Sequence, residues 1–299
     1  MKRLLLTALL LSMWNPIAGP LALSPKGEPQ PPAFALQARR GASADKPRTP
    51  RLYVFDCGTL NIADPMPLFG LRKDEVGATN LSDAAYLIVH PRGTLIWDAG
   101  FLTDSVIESG APQTGMARAS KTLKGQLAQA GYKPSDITYL ALSHYHGDHT
   151  GNANDFRTST WLVTRVEHDA MFRVPPPRIA SPDTYSALKD SKTVFIEGDY
   201  DVFGDGTVVI KPTPGHTPGH LALVVKLAKT GPVMLTVDMY HYPEEVNRDD
   251  VPPGEADKAL ATQTRKAVRA FVQRTGTQLW IGHDLIGFAK LRKSPEFYE

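Results

Sequence analysis

The stretch LSHYHGDHTGN, residues 142–152, places three histidines and one aspartate within six consecutive positions. These side chains are His144, His146, Asp148 and His149. On an extended segment His144 and His146 point to the same side, and Gly147 permits a turn that brings the next two side chains to a second position. Imidazole and carboxylate ligands without a thiolate suit zinc, and they also accept iron, manganese or cobalt. The stretch therefore predicts a metal site.

More metal-capable side chains follow along the chain, at the ends of strand-like runs or in a turn rich in glycine and proline. They are His216 in PTPGHTPGH, Asp238 in LTVDMYH and His283 in WIGHD. Residues at strand ends stand on a rigid frame and project into loop-lined clefts, where sites are usually built. Because two ions need more than four ligands, we predict that these residues complete a two-metal site.

The remaining candidates are interpreted as supporting or unrelated side chains. Asp98 follows the strand-like run TLIW, and we expect its carboxylate to orient the cluster rather than to bind an ion. His220 is expected to have a similar orienting role or a structural one. His90 and His168 stand alone in the sequence and receive no role.

The N-terminal composition indicates an export segment ahead of one catalytic domain. Residues 1–14, MKRLLLTALLLSMW, join a basic start to an apolar run of signal-peptide length, which is too short to span a bilayer. We predict a signal peptide over 1–22, a disordered linker rich in proline and basic residues over 23–51, and a catalytic domain over 52–299. The protein would then be periplasmic or secreted, without a stable membrane anchor after signal cleavage.

Charge and cysteine content narrow the function classes. Residues 1–51 hold eight Lys/Arg and two Asp/Glu, which leaves 25 basic and 29 acidic residues in the rest of the chain. A mildly acidic domain is a poor partner for nucleic acid. The only cysteine, Cys57, cannot form an internal disulfide, so the core and any bound metal must hold an exported fold together.

Apolar patterning makes the domain rich in β-sheet. Strands are predicted over 52–56, 85–89, 94–97, 138–142, 160–163, 193–196, 207–211, 221–225, 233–237 and 278–281. Helices are predicted over 119–130 and about 255–274. The expected apolar stripe of the first is Leu123, Leu127 and Ala130, and that of the second is Leu260, Ala267, Val268 and Phe271. We expect an α/β protein in which two sheets pack face to face beneath outer helices.

The ordered set of ligand motifs resembles the metallo-β-lactamase superfamily over about residues 52–299. The motif H-x-H-x-D-H, with Asp98 ahead of it and His216, Asp238 and His283 behind it, carries that resemblance. It implies an αββα sandwich of two mixed sheets flanked by helices, with two Zn²⁺ ions. The implied ligands are His144, His146 and His216 for one ion and Asp148, His149 and His283 for the other, with Asp238 as the bridge.

Three other segments resemble the N-acyl-homoserine lactone lactonases of that superfamily. They are NLSDAAYLIVHPRGTLIWDAG (80–100), EEVNRDDVPPG (244–254) and WIGHDLIGFAKLRKSPEFYE (280–299). The resemblance implies hydrolysis of the lactone ring of bacterial quorum-sensing signals by a metal-bridging hydroxide, because bound ions lower the pKa of water. The alternative is a phosphotriesterase-like enzyme, or another ester or β-lactam hydrolase of the same superfamily.

One position departs from the lactonase pattern. Many of these enzymes carry a tyrosine three positions after the bridging aspartate, where it hydrogen-bonds the substrate, whereas this chain carries His241. A histidine can donate the same bond. We therefore expect His241, together with Asp148 and Asp98, to contribute to catalysis on a small lactone or ester. Acyl-chain preference, native metal and a possible homodimer are left open.

Overall fold

The computed structural model describes residues 47–113 and 115–299. The predicted signal peptide and residues 23–46 of the predicted linker lie outside the described residues. The described strands are β1 Arg51–Leu60, β2 Leu81–His90, β3 Gly93–Trp97, β4 Ala117–Arg118, β5 Tyr139–Ala141, β6 Thr160–Val163, β7 Thr193–Phe195, β8 Tyr200–Asp201, β9 Val208–Pro212, β10 Leu221–Leu227, β11 Gly231–Leu235, β12 Gln278–Trp280 and β13 Phe297–Tyr298. All ten predicted strands are present, and the three that the sequence did not indicate are two-residue strands.

Helices occupy the connections between these strands. The α-helices are α1 Met66–Phe69, α2 Asp104–Glu108, α3 Leu123–Gln129, α4 Gly147–Thr150, α5 Arg165–Phe172, α6 Pro182–Tyr185, α7 Lys258–Thr275 and α8 Leu285–Lys290. Short 3-10 helices cover Pro134–Asp136, Ala153–Phe156, Ser186–Asp190, Val237–Met239 and Pro243–Glu245. Among the described helices, none has the length and apolar character needed to cross a bilayer.

Two mixed β-sheets form the centre of the molecule. The larger sheet has the order β13-β1-β2-β3-β5-β6-β7, with β4 paired to β1, and the smaller has the order β12-β11-β10-β9-β8. In the larger sheet β1, β2 and β3 pair antiparallel, whereas β3, β5, β6 and β7 pair parallel. In the smaller sheet the β11–β12 pair is parallel and the others are antiparallel. The expectation of two mixed sheets is confirmed.

Alternate residues of β1 show how the layers are packed. Leu52 and Val54 belong to the core between the two sheets, where they share a cluster with Leu223 of the smaller sheet. Tyr53 and Phe55 face the opposite side and pack in a cluster with Leu127 of α3. Because successive side chains of a strand point to opposite faces, a strand buried on both faces is apolar at nearly every position. Strand β2 also packs in both of these clusters, and for this reason all of its residues are buried.

Helix α7 covers the outer face of the smaller sheet. Its Val268 packs in a cluster with Val224 and Met234. The helix begins after Asp257, whose carboxylate accepts a hydrogen bond from Leu260 N, and it ends at Gly276, which adopts a left-handed φ of 68°. Together with α3 and α5 on the larger sheet, α7 completes an αββα arrangement.

The predicted apolar stripe of α7 is wrong in one part. Ala267 is exposed, and the buried side chains are Ala261, Arg265 and Val268. Arg265 takes a core-facing position because it pairs with buried carboxylates of another segment. Apolar periodicity cannot reveal a charged residue whose partner is distant in the sequence.

Candidate metal centre

The predicted ligands meet at one edge of the sandwich, although they come from both sheets. The HYHGDH segment follows β5 of the larger sheet. His216, Asp238 and His283 follow β9, β11 and β12 of the smaller sheet. The structure therefore brings all seven predicted ligands together between loops that start from two rigid frameworks.

A tight turn shapes the HYHGDH segment. His146 is extended and lies directly before α4, and Gly147 N donates a hydrogen bond to Ile179 O at 3.1 Å. A Cβ atom at Gly147 would lie 2.6 Å from Ser181 Oγ, closer than atoms can pack. The absence of a side chain at this position makes room for Ser181, and the chain enters α4 here, so that Asp148 and His149 leave the direction of the first two histidines.

The two carboxylate oxygens of Asp238 divide the histidines into two groups. Asp238 Oδ2 lies 3.3 Å from His216 Nε2 and 3.6 Å from His144 Nε2. Asp238 Oδ1 lies 3.1 Å from His149 Nε2 and 3.0 Å from His283 Nε2. One buried carboxylate is thus shared by two sets of ligand atoms.

These distances fit two bound ions. The two sets of potential ligands, whose atoms lie within 4.8 Å of one another, are His144, His146, His216 and Asp238, and Asp148, His149, Asp238 and His283. Tetrahedral zinc with bonds of about 2.0–2.1 Å separates neighbouring ligands by roughly 3.3 Å. His144 Nε2, His149 Nε2 and Asp238 Oδ1 are buried without a hydrogen-bond partner among the described residues. Buried polar atoms normally have a partner, and a cation would supply it here.

Asp98 lies behind the second group of ligands. Its Oδ2 lies 3.1 Å from His149 Nδ1, and its Oδ1 accepts a hydrogen bond from Ser143 N at 2.6 Å. Asp98 has a left-handed φ of 60°, a conformation that aspartate and asparagine tolerate better than most residues. A carboxylate at Nδ1 keeps the proton there and leaves Nε2 free to bind an ion.

Three other histidines have similar supporting contacts on Nδ1. His216 Nδ1 lies 3.2 Å from Glu255 Oε2, His144 Nδ1 lies 3.0 Å from Ser143 Oγ, and His283 Nδ1 donates to Ser82 O at 2.7 Å. His146 differs, because its Nδ1 faces the cluster and lies 3.1 Å from His216 Nε2. The supporting contacts direct Nε2 of the other rings inwards.

Glu167 of α5 hydrogen-bonds two loops that carry metal ligands, a role that the sequence did not indicate. Its carboxylate accepts hydrogen bonds from Tyr145 N at 2.9 Å, Gly219 N at 2.8 Å and Thr217 Oγ1 at 3.0 Å. Tyr145 lies between two ligands of the HYHGDH segment, and Thr217 follows His216. No motif in the sequence links this glutamate to either loop.

His241 lies beside the cluster but belongs to neither ligand group. Its Nε2 is 3.3 Å from Asp238 Oδ2, its ring is 4.4 Å from the ring of Phe69, and it is buried. His220 is also buried, and its Nδ1 lies 2.9 Å from Thr213 Oγ1. His90 and His168 pair with Asp205 and Asp169, away from the cluster.

The cluster holds protons that a cation would displace. Burial and the neighbouring histidines lower the pKa of His146 to about 3 and that of His144 well below its ordinary value. Burial also opposes protonation of His216 and His283, but nearby carboxylates outweigh it and raise both pKa values to about 9. Protons on these rings partly balance the buried carboxylates, and metal binding would release them.

The chain is similar to several known lactonases. N-acyl homoserine lactonase AttM of Azorhizobium caulinodans is 29% identical over 234 residues, which cover 72% of this chain and 86% of that protein. AttM of Rhizobium radiobacter is 28% identical over 270 residues, which cover 83% and 98%. A solved N-acyl homoserine lactone hydrolase, with N-hexanoyl-L-homoserine bound at its catalytic metal centre, superposes with a TM-score of 0.70 at 26% identity. That match covers 83% of this chain and 99% of the other.

The family model of the metallo-β-lactamase superfamily matches residues 79–276. That range contains six of the seven predicted ligands and ends before His283, which the structure adds to the same cluster. The αββα fold, the order of the motifs and this match together show that the chain belongs to the metallo-β-lactamase superfamily.

Proposed function

We propose that this protein is a metal-dependent hydrolase that opens the lactone ring of N-acyl-homoserine lactones. The observation that carries the proposal is the division of the Asp238 oxygens between two groups of histidines, which provides for two ions. The similarity to lactonases extends over nearly the whole length of those relatives. Rivals with phosphotriester or β-lactam substrates have no comparable support among these relatives.

Two zinc ions fit this donor set of imidazole nitrogens and carboxylate oxygens, which also accepts iron, manganese or cobalt. His144, His146 and His216 would hold one ion, Asp148, His149 and His283 the other, and Asp238 both. When bound, the pair supplies an activated water and a Lewis acid for a carbonyl oxygen. The protein orients four of its five ligand histidines through contacts on Nδ1.

His241 is proposed to contact the substrate. Its Nε2 lies at the Asp238 side of the cluster, and its Nδ1 lies 3.7 Å from the buried carboxylate of Glu245. Burial opposes protonation of His241, but Asp238 and Glu245 outweigh it and raise the pKa of this ring to about 9. Without metal, Nε2 of this ring faces Asp238 Oδ2; with that carboxylate bound to the ions, an Nε2–H group would be available to a polar substrate oxygen. Phe69 packs against the same ring and limits its movement.

Parallel turnover assays test the proposal. Purified protein is analysed for metal and then given acyl-homoserine lactones of several chain lengths, an aryl phosphotriester and a β-lactam. We expect ring opening of the lactones that chelation abolishes and added zinc restores. Efficient turnover of the triester with none of the lactones would contradict the proposal.

Export remains a prediction from residues 1–22. N-terminal sequencing of protein recovered from the periplasm or the medium tests it, because an intact signal peptide on the exported form would contradict the prediction.

A further inference from the structure

The EEVNRDDVPPG segment and the residue after it place a glutamate behind each of two histidines of the candidate site. At the start of the segment, Glu245 Oε1 lies 3.7 Å from His241 Nδ1, and Glu245 Oε2 accepts a hydrogen bond from His241 N at 3.4 Å. At its end, Glu255 Oε2 lies 3.2 Å from His216 Nδ1. Both glutamates are buried, with exposures of 2% and 8%. Two carboxylates ten residues apart thus lie beside two neighbouring rings, Glu255 within hydrogen-bond distance and Glu245 as an ion-pair partner.

Arg265 of α7 lies between these glutamates. Its Nη2 donates a hydrogen bond to Glu245 Oε2 at 2.8 Å and lies 3.7 Å from Glu255 Oε1. Its Nη1 donates to Asp250 O at 3.4 Å, and its guanidinium lies 4.9 Å from the centre of the Tyr240 ring. The residue is 1% exposed. One side chain therefore contacts the beginning, the middle and the end of the segment.

Fold stability alone gives little reason to bury this arginine. Removing charges from water costs free energy that their attraction often fails to recover, and apolar residues of similar volume frequently serve as well. Arg269, one turn along α7, is partly exposed and pairs with Asp249. It also donates hydrogen bonds to Val246 O at 3.4 Å and Arg248 O at 3.0 Å of the same segment. Arg274, in the last turn of α7, is exposed. The planar guanidinium can serve two carboxylates at fixed angles, which a lysine ammonium cannot do equally well.

We propose that Arg265 is a positioning residue that fixes the rings of His216 and His241 together by holding Glu255 and Glu245 in place. The effect on His216 concerns binding of an ion and is independent of the substrate. The effect on His241 rests on the proposed function. Helix α7 thereby links the ligand of one ion to the residue proposed to contact the substrate.

The test compares Arg265→Lys with Arg274→Lys, which changes an exposed arginine in the last turn of the same helix. Each metal-free protein is titrated with zinc against a chelator, and cobalt absorption spectra report the ligand geometry. We expect Arg265→Lys to weaken one of the two zinc-binding steps about 10–100-fold, the usual effect of losing a partner behind a metal ligand. At saturating zinc its kcat/KM should also fall, whereas Arg274→Lys should leave both quantities unchanged.

Two nearly isosteric variants separate the effect on His216 from the effect on His241. Glu255→Gln should weaken zinc binding, and Glu245→Gln should lower kcat/KM while both zinc ions remain bound. These variants also decide the matter if Arg265→Lys does not fold. The proposal is overturned if Arg265→Lys, or both glutamine variants, keep wild-type zinc affinity, cobalt spectrum and kcat/KM while only the melting temperature falls. If wild-type protein turns over no lactone but Glu255→Gln still loses zinc affinity, the proposed function fails and the inference about His216 stands.

Discussion

Asp98→Asn is a sharp test of how the candidate site is organised. Asparagine has nearly the same shape and tolerates the left-handed backbone of this position, so the substitution should change the chemistry more than the fold. The amide oxygen can still accept the hydrogen bond from Ser143 N. The amide nitrogen would then face His149 Nδ1, which lies 3.1 Å from the present carboxylate oxygen.

That exchange changes the favoured tautomer of His149. An amide N–H next to Nδ1 favours a ring with its proton on Nε2, and a protonated Nε2 cannot bind an ion. Losing an orienting partner typically costs about 10–100-fold in metal affinity, or ~1.4–2.7 kcal/mol. Both side chains are buried, so water cannot replace the lost contact, and we expect a value near the upper end.

Competition with a chelator measures the result as two zinc-binding steps. Asp98→Asn should weaken one step and leave the other close to that of the unsubstituted protein. Ser143→Ala is the matched variant for the ligands of the other ion, because Ser143 Oγ contacts Nδ1 of His144, a ligand of that ion. Loss of this neutral hydrogen bond should cost about 0.5–1.5 kcal/mol in the other step. In the double variant both steps should be weaker.

Two outcomes would refute this reasoning. If Asp98→Asn weakens both steps equally, Asp98 supports the cluster as a whole and not His149 in particular. If neither step changes, the contact with His149 has no part in metal binding. A fall in thermal stability alone would lead to the same conclusion.

Other predictions follow from the same contacts. Zinc must displace protons from His216 and His283, whose pKa values are near 9 without metal. The apparent zinc affinity should therefore increase about tenfold for each unit of pH increase between 6 and 9, for each proton displaced. Competition with a chelator at several pH values measures this, and an affinity that does not change with pH would contradict it. Gly219→Ala would place a Cβ atom 2.1 Å from Thr164 Oγ1 and should lower the free energy of unfolding, measured by urea titration, by ~1–3 kcal/mol. Gly254→Ala is the control, because no atom lies within 4 Å of its Cβ position, and it should have little effect. His241→Ala should lower kcat/KM on a good lactone by roughly 10²–10³-fold with zinc content unchanged, and an unchanged kcat/KM would exclude a substrate contact.

The strands and the main ligands could be predicted because both depend on local patterns. Apolar runs ending in polar side chains marked the strands, and the HYHGDH, PGHTPGH and GHD segments each carry their chemistry in a few adjacent residues. Strand ends at one edge of a sandwich necessarily lie near each other, so the sequence also indicated that these segments meet.

Among the supporting residues, Asp98 could be predicted from its position after a strand, but the others could not, because their partners are distant in the sequence. Glu167 contacts residues 22 to 52 positions away, and Arg265 pairs with Glu245 across 20. Periodicity assigns a charged residue to the exposed face of a helix unless its partner is known. The proximity of Phe69 to His241 likewise depends on how a loop packs.

The origin of the ligands in two sheets has a consequence for the stability of the fold. An ion held by His149 and His283 would close a loop of more than a hundred residues, as a disulfide does in chains that have a pair of cysteines. With Cys57 as its only thiol, this chain has no covalent equivalent. Unlike a disulfide, however, this coordination is broken when the chain unfolds, so the ions would stabilise the fold through their binding free energy. Chelation would therefore lower the melting temperature as well as stop turnover.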